Sequence, residues 1–212
     1  MIIKNATFIT SVANKKDFLV PNKPLIAICG KSNVGKSSLI NMLANKKGLA
    51  KTSTTPGRTR LVNYFDFNDF VLADLPGYGF AKVSQKEKLK WAELLEDFFK
   101  YSSLITHVFS LVDIRHTPTK DDENMLNYLH HYALPFTIVA TKADKIGKTR
   151  IFDRVKDIGN YLAVGSQSVI AVSSETGYNK NKLLDKISSV IDIYSDDFYN
   201  SSDEEDSGLV EE

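Results

Sequence analysis

Gly30-Lys31-Ser32-Asn33-Val34-Gly35-Lys36-Ser37 follows directly on the apolar run Leu25-Ile26-Ala27-Ile28-Cys29. The pattern is G-x-x-x-x-G-K-S, set between a strand-like run and a stretch that reads as helix. Two glycines let the backbone curl so that several N–H groups aim at one centre, which suits a phosphate oxygen. The helix opening at Lys36 adds the positive end of its dipole. Lys36 brings a point charge to the outer phosphates, and the Ser37 hydroxyl is placed to hold Mg²⁺. Residues 30–37 therefore predict a site for nucleotide phosphates.

The choice of base is read about one hundred residues further on. Phe136-Thr137-Ile138-Val139-Ala140 is a second apolar run, and it ends in Thr141-Lys142-Ala143-Asp144. A carboxylate at Asp144 can accept hydrogen bonds from the N1–H and N2 amino edge of guanine. Adenine offers no such pair, so it leaves the carboxylate unpaired. The Lys142 stem can lie over the base plane. Ser173-Ser174-Glu175, after the run 168–172, would complete the pocket with a backbone N–H to the guanine O6.

Two loops between these motifs can sense the third phosphate. Asp74-Leu75-Pro76-Gly77 ends the run Phe70-Val71-Leu72-Ala73. Asp74 can reach a Mg²⁺ ion through water, and the Gly77 N–H can meet a γ-phosphate oxygen. Thr55-Pro56-Gly57-Arg58-Thr59 lies in a polar stretch after the first helix. Thr59 is preferred over Thr55 as a Mg²⁺ and γ-phosphate contact, because it sits just before the strand 61–67. The candidate nucleotide contacts of this loop are Gly57, Arg58, Thr59, Arg60 and Leu61. Arg58 and Arg60 read either as solvated cations, the preferred reading, or as stabilisers of phosphate charge.

Taken in order, these segments resemble the five boxes of the translation-factor-related GTPases. Gly30–Ser38, Thr55–Thr59, Asp74-Leu-Pro-Gly-Tyr-Gly-Phe-Ala-Lys-Val83, Val112-Asp-Ile-Arg-His116 and Thr141–Lys145 together resemble the EngB (YihA/YsxC) family. The resemblance runs from about Phe8 to about Ile191. It implies a P-loop GTPase of α/β class that binds GTP and hydrolyses it slowly with Mg²⁺. It also implies association with the large ribosomal subunit or its precursor, through rRNA and ribosomal proteins, and a part in cell division or septation. Many GTPases place a water-orienting Gln directly after the glycine of the third box. Here that position is Tyr78, so intrinsic hydrolysis is expected to be slow or to depend on an outside group, and no catalytic base is assigned. Asn33 resembles the asparagine of cation-dependent GTPases, which places a K⁺ ion on its side-chain oxygen. The alternative is that Asn33 only hydrogen-bonds its own loop.

Composition excludes several classes. With 42% apolar and 25% charged residues, the 212-residue chain reads as one ordinary globular unit. No apolar stretch is long enough to span a membrane. Met1-Ile2-Ile3-Lys4-Asn5 carries no secretory pattern, so a cytoplasmic monomer is expected. The single cysteine, Cys29, reads as a small core residue. The four histidines show no zinc spacing, and Asp113-Ile114-Arg115-His116 reads as a loop-ordering element. The net charge of +1 hides an asymmetry. Residues 195–212 hold eight acids and no Lys or Arg, which leaves 27 basic and 18 acidic residues elsewhere, +9. A basic body suits contact with RNA, and the tail is expected to be disordered.

Periodicity predicts strands at 25–29, 61–67, 70–74, 105–113, 136–141 and 168–172. Helices are predicted at 36–46, 86–101, 119–131, 150–163 and 177–193. Helix 86–101 has Leu89, Leu94, Leu95, Phe98 and Phe99 available for a buried face, and Trp91 is assigned to the core. Alternation implies a mainly parallel sheet with one antiparallel edge strand and helices on both faces. Residues 1–22 are read as an N-terminal extension packing on a GTP-binding domain at 23–193, with an acidic disordered tail at 194–212. Two other classes fit the phosphate loop. A phosphotransferase would need a substrate-binding insertion and an Arg-rich lid, which are not found. A non-catalytic interaction module in cell division, stabilised by GDP or GTP, would show no hydrolysis.

Overall fold

The computed structural model describes residues 1–51, 61–79, 84–100 and 105–206. Its strands are β1 (Thr7–Val12), β2 (Leu25–Gly30), β3 (Val62–Asp66), β4 (Val71–Asp74), β5 (Ile105–Asp113), β6 (Phe136–Thr141) and β7 (Val169–Ala171). They form one sheet in the order β1-β3-β4-β2-β5-β6-β7. β2 and β5 are buried along nearly their whole length, which is why they read as continuous apolar runs rather than alternating ones. Parallel pairing links β4, β2, β5, β6 and β7, so their carboxyl ends share one edge of the sheet. Ligand loops gather at such an edge.

Helices cover both faces. Helix α1 (Lys36–Leu43) and helix α5 (Lys180–Asp206) lie on one side, where Leu39, Ile40 and Leu43 meet Leu183, Leu184 and Ile187 in one cluster. Helix α2 (Gln85–Lys100) and helix α3 (Lys120–His131) lie on the other, with Leu95, Phe98 and Phe99 against Met125 and Leu129. Helix α4 (Ile151–Tyr161) packs Ile158 and Leu162 beside β6 and β7. Each such side chain, fully buried, stabilises the fold by about 1.5–3 kcal/mol.

Several expectations are corrected. The sheet is mainly parallel with an antiparallel edge, as expected, but β1, pairing antiparallel with β3, takes the outer place that the strand at 61–67 was expected to hold. The sequence pattern marks β1 only as part of an extension. A register shift between Phe8 and Thr10 breaks its alternation, and of its residues only Val12 is buried, so the period-2 signal is lost. α1 ends at Leu43 rather than 46, where Asn45 turns to positive φ and the Asn41 side chain ties down both backbone groups of Ala50. α5 begins at Lys180 and runs to Asp206, through residues expected to be disordered; residues 207–212 of the acidic tail lie outside the described set. Leu89 is 63% exposed, not part of the buried face of α2. Cys29 is buried, as expected of a core thiol, and burial pushes its pKa up to about 12. No described helix is long and apolar enough to cross a membrane.

Candidate functional site

The phosphate loop starts where β2 ends. Gly30 has φ +155°, and a Cβ there would stand 2.9 Å from both the Leu111 carbonyl and Val34 Cγ1. The Leu111 carbonyl is backbone of the buried strand β5 and cannot withdraw cheaply, so the first position of the motif is closed to side chains. The chain then curls through Asn33 at φ 62° and Gly35 at φ 115°, the residue that precedes α1. The carbonyls are held from outside the loop: Thr141 Oγ1 donates to the Val34 oxygen at 2.7 Å, and Lys142 Nζ to the Asn33 oxygen at 2.7 Å. The N–H groups that open α1 have no intrahelical acceptor. Together these restraints make a cradle of donors suited to an anion.

The segment 75–77 lies across this cradle. Leu75 N–H extends the β2–β4 ladder to the Ile28 oxygen at 2.9 Å, and Ser32 N–H donates to the Tyr78 oxygen at 2.9 Å. At Gly77 a Cβ would come within 3.1 Å of the Ser32 nitrogen and 3.3 Å of Lys36 Nζ, so a side chain there would press the two loops slightly apart. Lys36 Nζ stands 3.9 Å from Asp74 Oδ1.

Asp74 is 7% exposed, and its Oδ1 has no hydrogen-bond partner. Burial raises its pKa, which Lys36 and a hydrogen bond from Asn63 only partly offset. An orphaned buried carboxylate oxygen fits a hard divalent cation whose remaining ligands are water, hydroxyl and phosphate oxygens. No cluster of three or more His, Cys, Asp or Glu suited to a metal exists among the described residues. Such a cluster is not required where phosphates share the ion.

In the turn after β6, Asp144 accepts from Ser173 Oγ at 2.6 Å and pairs with Lys145 Nζ at 2.9 Å. The Ser173 hydroxyl, opposed by burial and helped by Lys145, holds the Asp144 carboxyl below the usual range. The Ser173 N–H is already given to the Tyr178 oxygen at 3.2 Å, so within 173–175 an N–H for the base falls to Ser174 or Glu175. Lys142 adopts φ 62° and bridges Asn33 to Asp113, which also takes a bidentate pair from Arg115. Burial works to raise Asp113, but the hydrogen bonds from Arg115 and Lys142 outweigh it and keep it well below the usual carboxylate range. The segment 113–116 is thus a loop-ordering element that ties the 141–144 turn to the phosphate loop.

The structure brings together residues 30–37, Asp74–Gly77, Thr141–Asp144 and Ser173. Leu61 lies just before β3. Thr55, Gly57, Arg58, Thr59 and Arg60 lie outside the described residues, as do 80–83. Asn33 lines a cavity of about 230 Å³ with Lys31, Asp113 and His116, and its side chain makes no hydrogen bond to any described residue.

Sequence reasoning missed Asp122. Its Oδ2 closes a capping box with Thr119, a signal visible as T-x-x-D. Its Oδ1 accepts the Tyr78 hydroxyl at 2.9 Å, a contact between positions 44 residues apart. Tyr78 is 4% exposed and stands edge-on to Trp91, which donates from Nε1 to the Pro76 oxygen at 3.1 Å. The ring after Gly77 therefore faces the α2–α3 side of the sheet, away from the phosphate cradle. Tyr78→Phe is expected to cost about 1–2 kcal/mol, because Asp122 loses a buried donor. Urea unfolding measures this loss, and an unchanged GTP hydrolysis rate would separate a packing role from a water-orienting one.

A phosphate loop at a strand-to-helix turn, a carboxylate behind its lysine and a T-K-x-D turn tethered to the loop define a P-loop GTPase. Residues 25–142 match the family described as "50S ribosome-binding GTPase". The chain is 44% identical over 187 residues to the "Probable GTP-binding protein EngB" of Desulforamulus reducens, covering 87% of this chain and 91% of that one. It is 46% identical to the protein of the same name from Thermoanaerobacter pseudethanolicus over 82% of this chain and 91% of the relative. A crystal structure of a probable GTP-binding protein engB superimposes with a TM-score of 0.65 at 25% identity, over 79% of this chain and 98% of the other. A point variant of Era from Aquifex aeolicus, at 22% identity and a TM-score of 0.61 over 79% of this chain and 56% of that one, shares the fold. The chain belongs to the EngB family of GTP-binding proteins.

Proposed function

We propose that this protein is a slowly hydrolysing guanine-nucleotide switch that docks on the large ribosomal subunit or its precursor. The observation that carries the switch is the approach of Gly77 to Lys36 and Ser32, because a γ-phosphate held by Lys36 would touch both loops at once. Only contacts absent with GDP can bias the two states. In this reading residues 30–37 hold the phosphates, Asp144 with Lys142 and the 173–175 turn hold the base, and the 57–61 loop closes over the γ-phosphate.

Ser37, Asp74 and Thr59 would hold Mg²⁺, which neutralises phosphate charge when bound. Asn33 would hold K⁺. Slow turnover follows from the buried Tyr78. The ribosomal part rests on the +9 charge of residues 1–194 and on the description carried by the matching family. Cosedimentation tests it: association with large-subunit particles is expected with a non-hydrolysable GTP analogue, weaker with GDP, and falling steeply with salt. Equal pelleting with both nucleotides would remove the switch, and none with either would remove the ribosome.

A further inference from the structure

The chain leaving Asp144 runs into a surface that the nucleotide does not use. A 3₁₀ turn at Lys148–Arg150 leads into α4, and Phe152 in its first turn is 75% exposed. Lys156 follows one helical turn later on the same stripe. Lys148, Arg150 and Lys156 are exposed, and their side chains make no ion pair or hydrogen bond with any described residue. The cations around them differ: Lys145 pairs with Asp144, and Arg154 with Asp157. The inward residues of α4, Ile151, Ile158 and Leu162, are buried, so the ring is not held out for want of a core. Asp153 is the one acidic neighbour in the first turn.

We infer that Phe152 with Lys148, Arg150 and Lys156 forms a docking surface for single-stranded RNA. An exposed aromatic with unpaired cations just before it in the chain and one helical turn after it suits one unstacked base and the phosphates on either side of it. A protein partner would instead be met by a broader apolar cluster, which this surface lacks. A duplex keeps its bases stacked and cannot offer one to the ring. The surface lies outside residues 50–60 and 75–84, the segments expected to answer to the γ-phosphate. It therefore acts as an anchor of equal strength in both nucleotide states. This inference extends the ribosomal reading above by giving it a contact surface.

The test uses the full chain and two fluorescently labelled probes: a short single-stranded oligouridine and an RNA duplex of equal length. Phe152→Ala is expected to weaken oligouridine binding about tenfold, equally with GDP and with a non-hydrolysable GTP analogue. Phe152→Trp retains it, and duplex binding does not change. Replacing Lys148, Arg150 and Lys156 together by Ala lowers the salt slope of oligouridine binding by about two. GDP affinity stays that of the parent throughout. Oligouridine binding that is absent in the parent, or unaltered by Phe152→Ala, overturns the proposal. A loss seen only with large-subunit particles also overturns it, since the surface then takes no free single strand. A parent that binds oligouridine but does not pellet with large-subunit particles overturns the ribosomal reading and leaves this one standing.

Discussion

Asp144→Asn is expected to lower GDP affinity about a hundredfold and to raise affinity for xanthosine diphosphate. Guanine presents an amino group where xanthine presents a carbonyl, so an amide at position 144 reverses the match of donors and acceptors. Losing a charge-assisted pair in a partly closed pocket costs about 2–4 kcal/mol. In the structure Asp144 is oriented by the Ser173 hydroxyl, and Lys145 covers its other oxygen. Lys145 is exposed and can swing aside without disturbing the fold. Because the carboxyl is held below its usual range, its charge persists as pH falls. Asp144 itself should therefore contribute no loss of guanine affinity as pH falls from neutral towards the usual carboxylate range. Equilibrium titration with fluorescent GDP and xanthosine diphosphate checks both statements. Equal GDP affinity in mutant and parent would remove Asp144 from the base pocket.

Potassium is expected to accelerate GTP hydrolysis over sodium at equal ionic strength, on the order of tenfold to a hundredfold, and Asn33→Ala to erase the difference. The charge that builds on the transferring phosphoryl group needs a positive partner. Tyr78 is buried against Trp91 and Asp122 and supplies nothing there. Asn33 has a side chain free of hydrogen bonds to described residues, at the edge of the phosphate loop. Its backbone oxygen is already used by Lys142, which fixes the residue while leaving the amide to a ligand. GDP affinity should largely survive the substitution, since Lys36 and the loop N–H groups remain. Single-turnover hydrolysis in the two salts, alone and with ribosomal particles, decides the matter; identical rates in all four conditions would end the cation proposal.

The sequence by itself determined the class of the fold and named the segments that the structure brings to one edge of the sheet. Buried parallel strands are continuous apolar runs, so β2, β5 and β6 were legible within a residue or two. The phosphate loop was legible because its backbone geometry demands glycine at fixed spacing: at Gly30 the space is filled by Leu111 and Val34. The T-K-x-D and D-x-x-G turns were legible because each must end such a strand.

Only the tertiary structure decided how these segments are locked to one another. Thr141 and Lys142 grip the phosphate loop from more than one hundred positions away. Tyr78 turns from the expected water position into a buried pair with Asp122. β1 becomes the sheet edge in spite of a bulge that hides its pattern. Each of these is a contact between residues far apart in the chain. Local propensity and periodicity carry no term for such contacts, which exist only once the strands are in order.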